Sequence, residues 1–304
     1  MARFWKTLAR RLAYLLSVVV AGSWLSVLQT SCLATPANPT LDPRHGPLFT
    51  RHIPDGFDEA IGFGTNGLAE VLAQGVATAV NEDVATRLAT GSDFGGLVCL
   101  TNVLGPKLSD QLHEEAKLLR PTLKPSRYWN RWQQGREDSY RLIDRGLCEL
   151  MGHSGMAAAL DLLNAICARL GQVCSIDGLG PTPHAQLACF SSGSQGYAAH
   201  TDGSCLAELA VDMPEDQKQM IASRRITAIL YLNEHTWEES YGGAFRAYRS
   251  KDMNEGTKEE PGFVDVLPHG GSLVLFRCRD LAHEVLASKH DRYALTMWFI
   301  ASAE

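Results

Sequence analysis

The sequence has no Cys-x-x-Cys pair among its eight cysteines, no acidic residue before Asp42, no internal repeat and no surplus of positive charge. Without such cysteine pairs a zinc ribbon or a thioredoxin-type redox site is not expected. A formal net charge of −6 over 304 residues leaves no basic field for a phosphate backbone, so nucleic acid is not an expected partner. The cysteines do not fix the compartment: some could pair in an oxidising lumen, and free buried thiols fit equally well. What the chain has is apolar content. At 45% hydrophobic residues it can bury a sizeable core, as one large domain or two small ones.

The acid-free N-terminus places Arg3, Lys6, Arg10 and Arg11 ahead of a mainly apolar run from Leu12 to Leu28. That order reads as a secretory signal peptide or signal anchor over residues 1–34, with Cys32 and Ala34 as the small residues of a cleavage site. The apolar run is short for a membrane span, so a cleaved signal and membrane anchoring through residues 12–28 both stand. An organelle leader shares the Arg-rich, acid-free character but is usually amphipathic. The expected location is the endoplasmic reticulum or Golgi lumen, anchored or soluble, with an organelle-targeted or cytosolic protein as the alternative. Residues 35–64, with Pro36, Pro39, Pro43, Pro47 and Pro54, read as a flexible linker outside the core. Residues 65–304 then form one domain, with its core at about 185–301.

Within that domain the apolar positions from Asn66 to Ala89 keep a helical spacing, and a short run at Gly96–Val103 reads as a strand. Pro106 opens a second helix with a stripe of Leu108, Leu112, Ala116 and Leu119. A third runs from about Met156 to Leu170, with Gly171 as its stop. These stripes are scaffold. After Gly171 the period shortens to two, and Ala185–Phe190, Ile226–Leu232, Ala244–Tyr248, Ser272–Phe276 and Tyr293–Ile300 are strand-like. Helices followed by many strands predict an α+β chain, with helices packed outside a β-sandwich or barrel.

The most informative segment is Tyr197-Ala-Ala-His200-Thr-Asp202. On a strand, His200 and Asp202 project to one side about 7 Å apart, within reach of one ion at about 2.1 Å from each. Alone, such a tripeptide is weak. Downstream, His283 follows a strand, and Arg292 lies beyond it. Two histidines and one carboxylate on one face of an iron leave three positions open. 2-Oxoglutarate fills two and dioxygen the third, while the far carboxylate of 2-oxoglutarate calls for a cation such as Arg292. By period two, Ala294, Thr296 and Trp298 share the face of Arg292, so Thr296 can add a hydroxyl, whereas Tyr293, Leu295, Met297 and Phe299 face packing. Tyr231, on one face with Thr227 and Ile229, is a further donor, although a buried tyrosine with a satisfied hydroxyl would look the same. His235, His269 and His290 read as surface residues, with His269 the substitute ligand.

These pieces resemble the prolyl hydroxylase branch of the 2-oxoglutarate/Fe(II) oxygenases, and within it the hypoxia-sensing type. The resemblance is carried by Leu187-Ala-Cys-Phe, Gly196-Tyr-Ala-Ala-His-Thr-Asp, Arg225-Ile-Thr-Ala-Ile-Leu-Tyr-Leu-Asn, Gly242-Gly-Ala-Phe-Arg-Ala-Tyr, Leu273-Val-Leu-Phe, His283-Glu-Val and Arg292-Tyr-Ala-Leu-Thr-Met-Trp-Phe. It extends more faintly back to about Gly96, including Arg136-Glu-Asp. The resemblance implies a double-stranded β-helix (jelly-roll, cupin-like) core with packed N-terminal helices. It implies His200, Asp202 and His283 as iron ligands, and Arg292, Tyr231 and Thr296 at the 2-oxoglutarate carboxylate. Fe(II), 2-oxoglutarate and ascorbate as reductant are the implied cofactors. The partners are dioxygen and a prolyl-containing peptide or protein, with succinate and CO2 as products. Two departures stand out: Phe190 replaces a tyrosine ten residues before the first histidine, and Gly203–Ser223 forms a long insertion.

For substrate contact the candidates are Tyr197, Arg224 and the segment Leu123–Arg136, where Tyr128, Trp129 and Trp132 stand beside Arg127 and Arg131. These aromatics either pack onto the core or form a flap that closes over a peptide, as the matching segment of the family does. Three other functions compete. A zinc hydrolase would not need Arg292, Thr296 and Tyr231. A metal-free jelly-roll binding module leaves the triad unexplained. A halogenase, or another oxygenase acting on a different residue or a small molecule, fits the fold, but halogenases give up the carboxylate that Asp202 supplies.

Overall fold

A computed structural model of the chain describes residues 48–51, 76–91, 93–126, 135–203, 214–249 and 262–301. The elements run β1 (Leu48–Arg51), α1 (Glu82–Thr90), β2 (Val98–Thr101), α2 (Pro106–Leu119), β3 (Lys124–Pro125), β4 (Asp138–Ile143), α3 (Arg145–Met151) and α4 (Ser154–Val173). They continue with β5 (Gly180–Pro181), β6 (Ala185–Phe190), β7 (Tyr197–His200), α5 (Glu215–Ala222), β8 (Arg224–Tyr231) and β9 (Phe245–Tyr248). The chain ends with β10 (Phe263–Val266), β11 (Leu273–Arg277), β12 (His283–Val285) and β13 (Arg292–Ile300).

The strands form two sheets. The larger has the order β1-β2-β11-β8-β13-β6-β4-β3, with β5 also on β13; the smaller has the order β10-β9-β12-β7. Side-chain alternation decides what each face does. On β8, Ile226, Ala228 and Leu230 join Tyr293, Leu295, Met297 and Phe299 of β13 in a core shared with α2 and α4. The opposite faces, with Ile229, Tyr231, Val274, Phe276 and Ala294, meet Phe245, Ala247, Val264 and Val266 of the smaller sheet. The result is a double-stranded β-helix with helices on the outer face of its larger sheet, an α+β fold.

Several elements depart from expectation for identifiable reasons. The helical spacing through 66–89 is interrupted: residues 76–79 are helical, then Asn81 caps α1 by accepting from the Val84 N–H at 3.1 Å. Residues 66–75 lie outside the described residues. Gly171 does not stop α4, which runs on to Val173; the left-handed residue beyond it is Ser175, at φ +50°. Burial of Leu163, Ile166, Cys167 and Leu170 outweighs the modest helix penalty of one glycine. That helix is long and apolar enough to cross a membrane, yet it packs into the core. Strand β1 falls inside the stretch read as linker and pairs in parallel with β2. Strand β4 and helix α3 were not expected. The β4 residues Asp138, Tyr140 and Leu142 line a cavity, which gives the strand a polar inner face and hides it from a hydrophobic pattern. Among the described residues the cysteines are free, and all but Cys174 are buried. The leader and Tyr128, Trp129 and Trp132 lie outside the described residues.

Candidate functional site

Strands β7 and β12 pair antiparallel, with His283 opposite His200. Two residues past His200 the chain bends, so Asp202 stands beyond the end of β7 rather than on it. The expectation that strand alternation aligns His200 with Asp202 is therefore corrected: a bend brings the carboxylate in. Ligand atoms of His200, Asp202 and His283 lie within 4.8 Å of one another, the one such cluster among the described residues. Asp202 Oδ1 is 3.6 Å from His200 Nε2 and 3.9 Å from His283 Nε2.

The surroundings set the protonation of each group. His200 Nδ1 lies 2.8 Å from the Ala198 carbonyl, and His283 Nδ1 lies 3.1 Å from that of Leu281. A carbonyl only accepts, so each Nδ1 donates to it and each ring turns its Nε2 toward the cluster. Burial, reinforced by neighbouring His200, lowers the His283 pKa to about 4 against the pull of Asp202, which keeps the ring neutral near pH 7. Burial alone would raise Asp202, but His200, His283 and Arg224 hold its carboxyl well below the usual range. Two imidazoles and one carboxylate are the donor set that a divalent first-row metal takes, with half of an octahedron left open. His283 packs between Phe245 and Phe276, at ring-centroid distances of 5.0 and 4.8 Å, while Tyr197 stacks on His200 at 3.7 Å. The rings cannot readily swing away.

A cavity of about 340 Å³ opens from the triad. Arg292, Ala294, Thr296 and Trp298 all line it, as their period-two spacing predicts. Arg292 is 2% exposed, donates from Nε to the Gly243 carbonyl at 2.7 Å, and forms no ion pair among the described residues. Its Cζ lies 5.1 Å from the Tyr231 ring and 5.4 Å from Phe190. Burial pulls its pKa down while Tyr231 pulls it up. Gly243 sits at φ +69°, and a Cβ there would meet Arg292 Cδ at 3.0 Å, so glycine is what lets the guanidinium in. The Tyr231 hydroxyl is buried without a hydrogen bond among the described residues. A buried, unpaired guanidinium beside an unsatisfied phenol is costly unless an anion completes it. The 2-oxoglutarate carboxylate fits that place, and the triad fits the iron.

Arg224 occupies the same cavity. Its Cζ lies 3.8 Å over the Trp298 ring, Nη1 donates to the Asp202 carbonyl at 3.3 Å, and Nε is buried without a partner. Tyr197 lies with Phe190 and Val285 in a small apolar cluster. Three further contributors escaped the sequence reading. Arg136 grips Asp138 through two 2.6 Å contacts in the cavity wall. Thr227 Oγ1 donates to Asp202 Oδ2 at 2.6 Å, and the Trp298 indole N–H adds 3.2 Å to the same oxygen. Both Thr227 and Trp298 were on the correct faces, but spacing names a face and not a partner.

Of the three histidines read as surface residues, two are more buried than expected: His235 and His269 are half-buried, and His290 is exposed. His269 Nδ1 contacts the His235 carbonyl at 3.2 Å, and burial lowers its pKa. It is not part of the ligand cluster, so it does not substitute for His283.

Residues 185–300 match the family described as the 2OG-Fe(II) oxygenase superfamily. Three solved structures are similar to the chain. A Pseudomonas putida prolyl-4-hydroxylase shares 24% identity over 72% of this chain and 98% of its own, with a TM-score of 0.54. A Trichoplax adhaerens prolyl hydroxylase, in complex with a hypoxia inducible factor oxygen degradation domain peptide, shares 20% over 72% and 90%, at 0.52. A prolyl 4-hydroxylase from Phytophthora capsici shares 22% over 75% and 65%, at 0.50. At such identities the likeness establishes the fold. No curated protein matches the chain.

Proposed function

We propose that residues 185–300, which match the 2OG-Fe(II) oxygenase superfamily, form such a domain and that the chain hydroxylates prolyl residues of a peptide or protein. The observation that carries the cosubstrate assignment is the buried, unpaired guanidinium of Arg292, with Thr296 in the same cavity as the ligand triad. His200, Asp202 and His283 hold Fe(II); Arg292, Thr296 and Tyr231 receive the far carboxylate of 2-oxoglutarate. Bound iron and 2-oxoglutarate supply the oxidising chemistry, and ascorbate serves as reductant. The protein's own contribution is orientation and exclusion of water.

The prolyl assignment is supported by the motif series around His200 and Arg292, and by fold neighbours that are prolyl hydroxylases, one holding a peptide. The cavity chemistry is compatible with it. Arg224 offers N–H donors to a substrate carbonyl, and the rings of Tyr197 and Trp298 bound the space beside the triad. The acid-free leader supports action in the secretory pathway, on a soluble or anchored enzyme.

The test supplies the purified protein with Fe(II), 2-oxoglutarate, ascorbate and a panel of proline-containing peptides. Succinate release should depend on peptide, and tandem mass spectrometry should place one added oxygen on proline. Peptide-independent succinate release, or oxygen on another residue or on a small molecule only, would falsify the prolyl assignment and leave the oxygenase domain standing.

A further inference from the structure

Asp202 uses its two oxygens differently. Oδ1 faces His200 Nε2 and His283 Nε2, while Oδ2 turns away and accepts from Thr227 Oγ1 at 2.6 Å and from Trp298 Nε1 at 3.2 Å. A hydroxyl has one proton, and Thr227 gives it to an ionised carboxylate that has none to return. Cys278, just past the C-terminal end of β11, which pairs with β8, places its Sγ 3.1 Å from the same Oγ1. With the threonine proton already committed, the thiol must be the donor in that contact. Cys278 and Thr227 are both fully buried, so water does not compete for either.

The backbone fixes the thiol in place. The Cys278 N–H donates to the Arg225 carbonyl at 3.0 Å, which ties it to β8. Gly203, immediately after Asp202, passes so close that a Cβ there would stand 3.1 Å from Cys278 Cβ. Cys278 thus touches both the residue that holds the carboxylate and the bend that presents it.

We propose that Cys278 is a positioning residue of the metal site: its thiol orients the Thr227 hydroxyl, which fixes Asp202 with Oδ1 toward the ion. This rests on the assignment of the triad as a metal site. Without the thiol, Thr227 can rotate to another acceptor, and Asp202 loses one of the two donors that set its orientation. Groups that steer metal ligands in this way commonly change metal affinity by about tenfold to a hundredfold when removed.

Mn(II), which is stable in air, is the probe, titrated calorimetrically into the full chain. Cys278→Ala should weaken Mn(II) binding about threefold to tenfold, the range of one lost hydrogen bond. Thr227→Val should weaken it about tenfold to a hundredfold. The double variant should bind no more weakly than Thr227→Val, because the thiol acts only through the hydroxyl. Cys278→Ser retains a donor and should restore affinity. Thermal unfolding of the metal-free proteins accompanies each titration. Additive losses in the double variant, or unchanged Mn(II) affinity in Cys278→Ala, overturn the relay and return Cys278 to core packing. If the wild-type protein itself takes up no Mn(II), the metal site falls, and the relay with it.

Discussion

Arg292→Lys separates the cosubstrate site from the metal site. The guanidinium spends Nε on the Gly243 carbonyl, at 2.7 Å, and keeps its two terminal nitrogens for a ligand. A lysine offers a single point charge in place of that fork and cannot reproduce its planar, bidentate contact. The substitution therefore removes at least one charge-assisted hydrogen bond in a buried setting, about 1.5–3 kcal/mol. At 1.4 kcal/mol per decade, 2-oxoglutarate binding should weaken by about tenfold to a hundredfold. Mn(II) affinity should stay within about twofold, because positive charge is kept and no triad atom is touched. Calorimetric titration of Mn(II), followed by 2-oxoglutarate into the Mn(II)-loaded protein, reads both numbers on one sample. A parallel collapse of Mn(II) binding would refute the reasoning by showing that Arg292 is structural. Unchanged 2-oxoglutarate affinity would place the anion site elsewhere.

His200→Ala and Asp202→Ala should each abolish metal uptake and succinate production together, whereas full Mn(II) binding in His283→Ala would remove the distal ligand from the triad. Phe190→Tyr should tighten 2-oxoglutarate in the same titration, since the added hydroxyl enters the cavity beside Arg292; an unstable or inactive variant would mean that the pocket is too tight for the extra oxygen. For metal-free protein, His283 titrates near 4 when folded against a reference of 6.5, so its proton binds the unfolded chain first. Stability should hold above pH 6.5 and fall steadily between pH 6.5 and about 4, by roughly 3 kcal/mol. Urea unfolding at stepped pH measures this, and His283→Gln should flatten the slope. Glu115 accepts the Gly155 and Met156 N–H groups at the start of α4, at 3.0 and 2.7 Å. Glu115→Ala leaves both orphaned and should cost about 2–4 kcal/mol in the urea transition without changing Mn(II) affinity.

How much of this was legible in the sequence depends on whether a residue's role is set by spacing or by contact. Period two over residues 292–299 separated the cavity residues from those packed under the helices, because a strand offers only two faces. His200 was legible from its motif, and His283 and Arg292 from their order after a strand together with the family resemblance. Asp202 was identified for the wrong reason: the bend that delivers it leaves no periodic trace. Cys278 was not legible at all, since it matters through Thr227, a partner tens of residues away in the chain. Among the helices, α4 overran its predicted stop because burial outweighs a local glycine penalty, whereas Asn81 broke a helix that apolar spacing alone would have continued.

The charges in the cavity give the substrate reading its physical basis. Three guanidinium groups (Arg136, Arg224 and Arg292) and two carboxylates (Asp138 and Asp202) line it. Arg136 is matched by Asp138, and Asp202 belongs to the triad. A divalent metal held by the triad would add two positive charges, and 2-oxoglutarate would bring two negative ones, for which the metal and Arg292 would be the counterparts. Every charge then has a counterpart except that of Arg224, which the Trp298 ring supports from one side and burial destabilises. A neutral but strongly polar acceptor such as a peptide carbonyl suits this position, as does an acidic group, while a cationic side chain next to the reacting residue is disfavoured by like charge in a poorly screened site. Peptides that differ only in the residue flanking proline should therefore rank with lysine or arginine poorest. Arg224→Gln should flatten that ranking while leaving peptide-independent 2-oxoglutarate binding within about twofold, since Arg224 lies outside the Arg292 anion site. A ranking that survives Arg224→Gln would assign the discrimination to another part of the cavity rim.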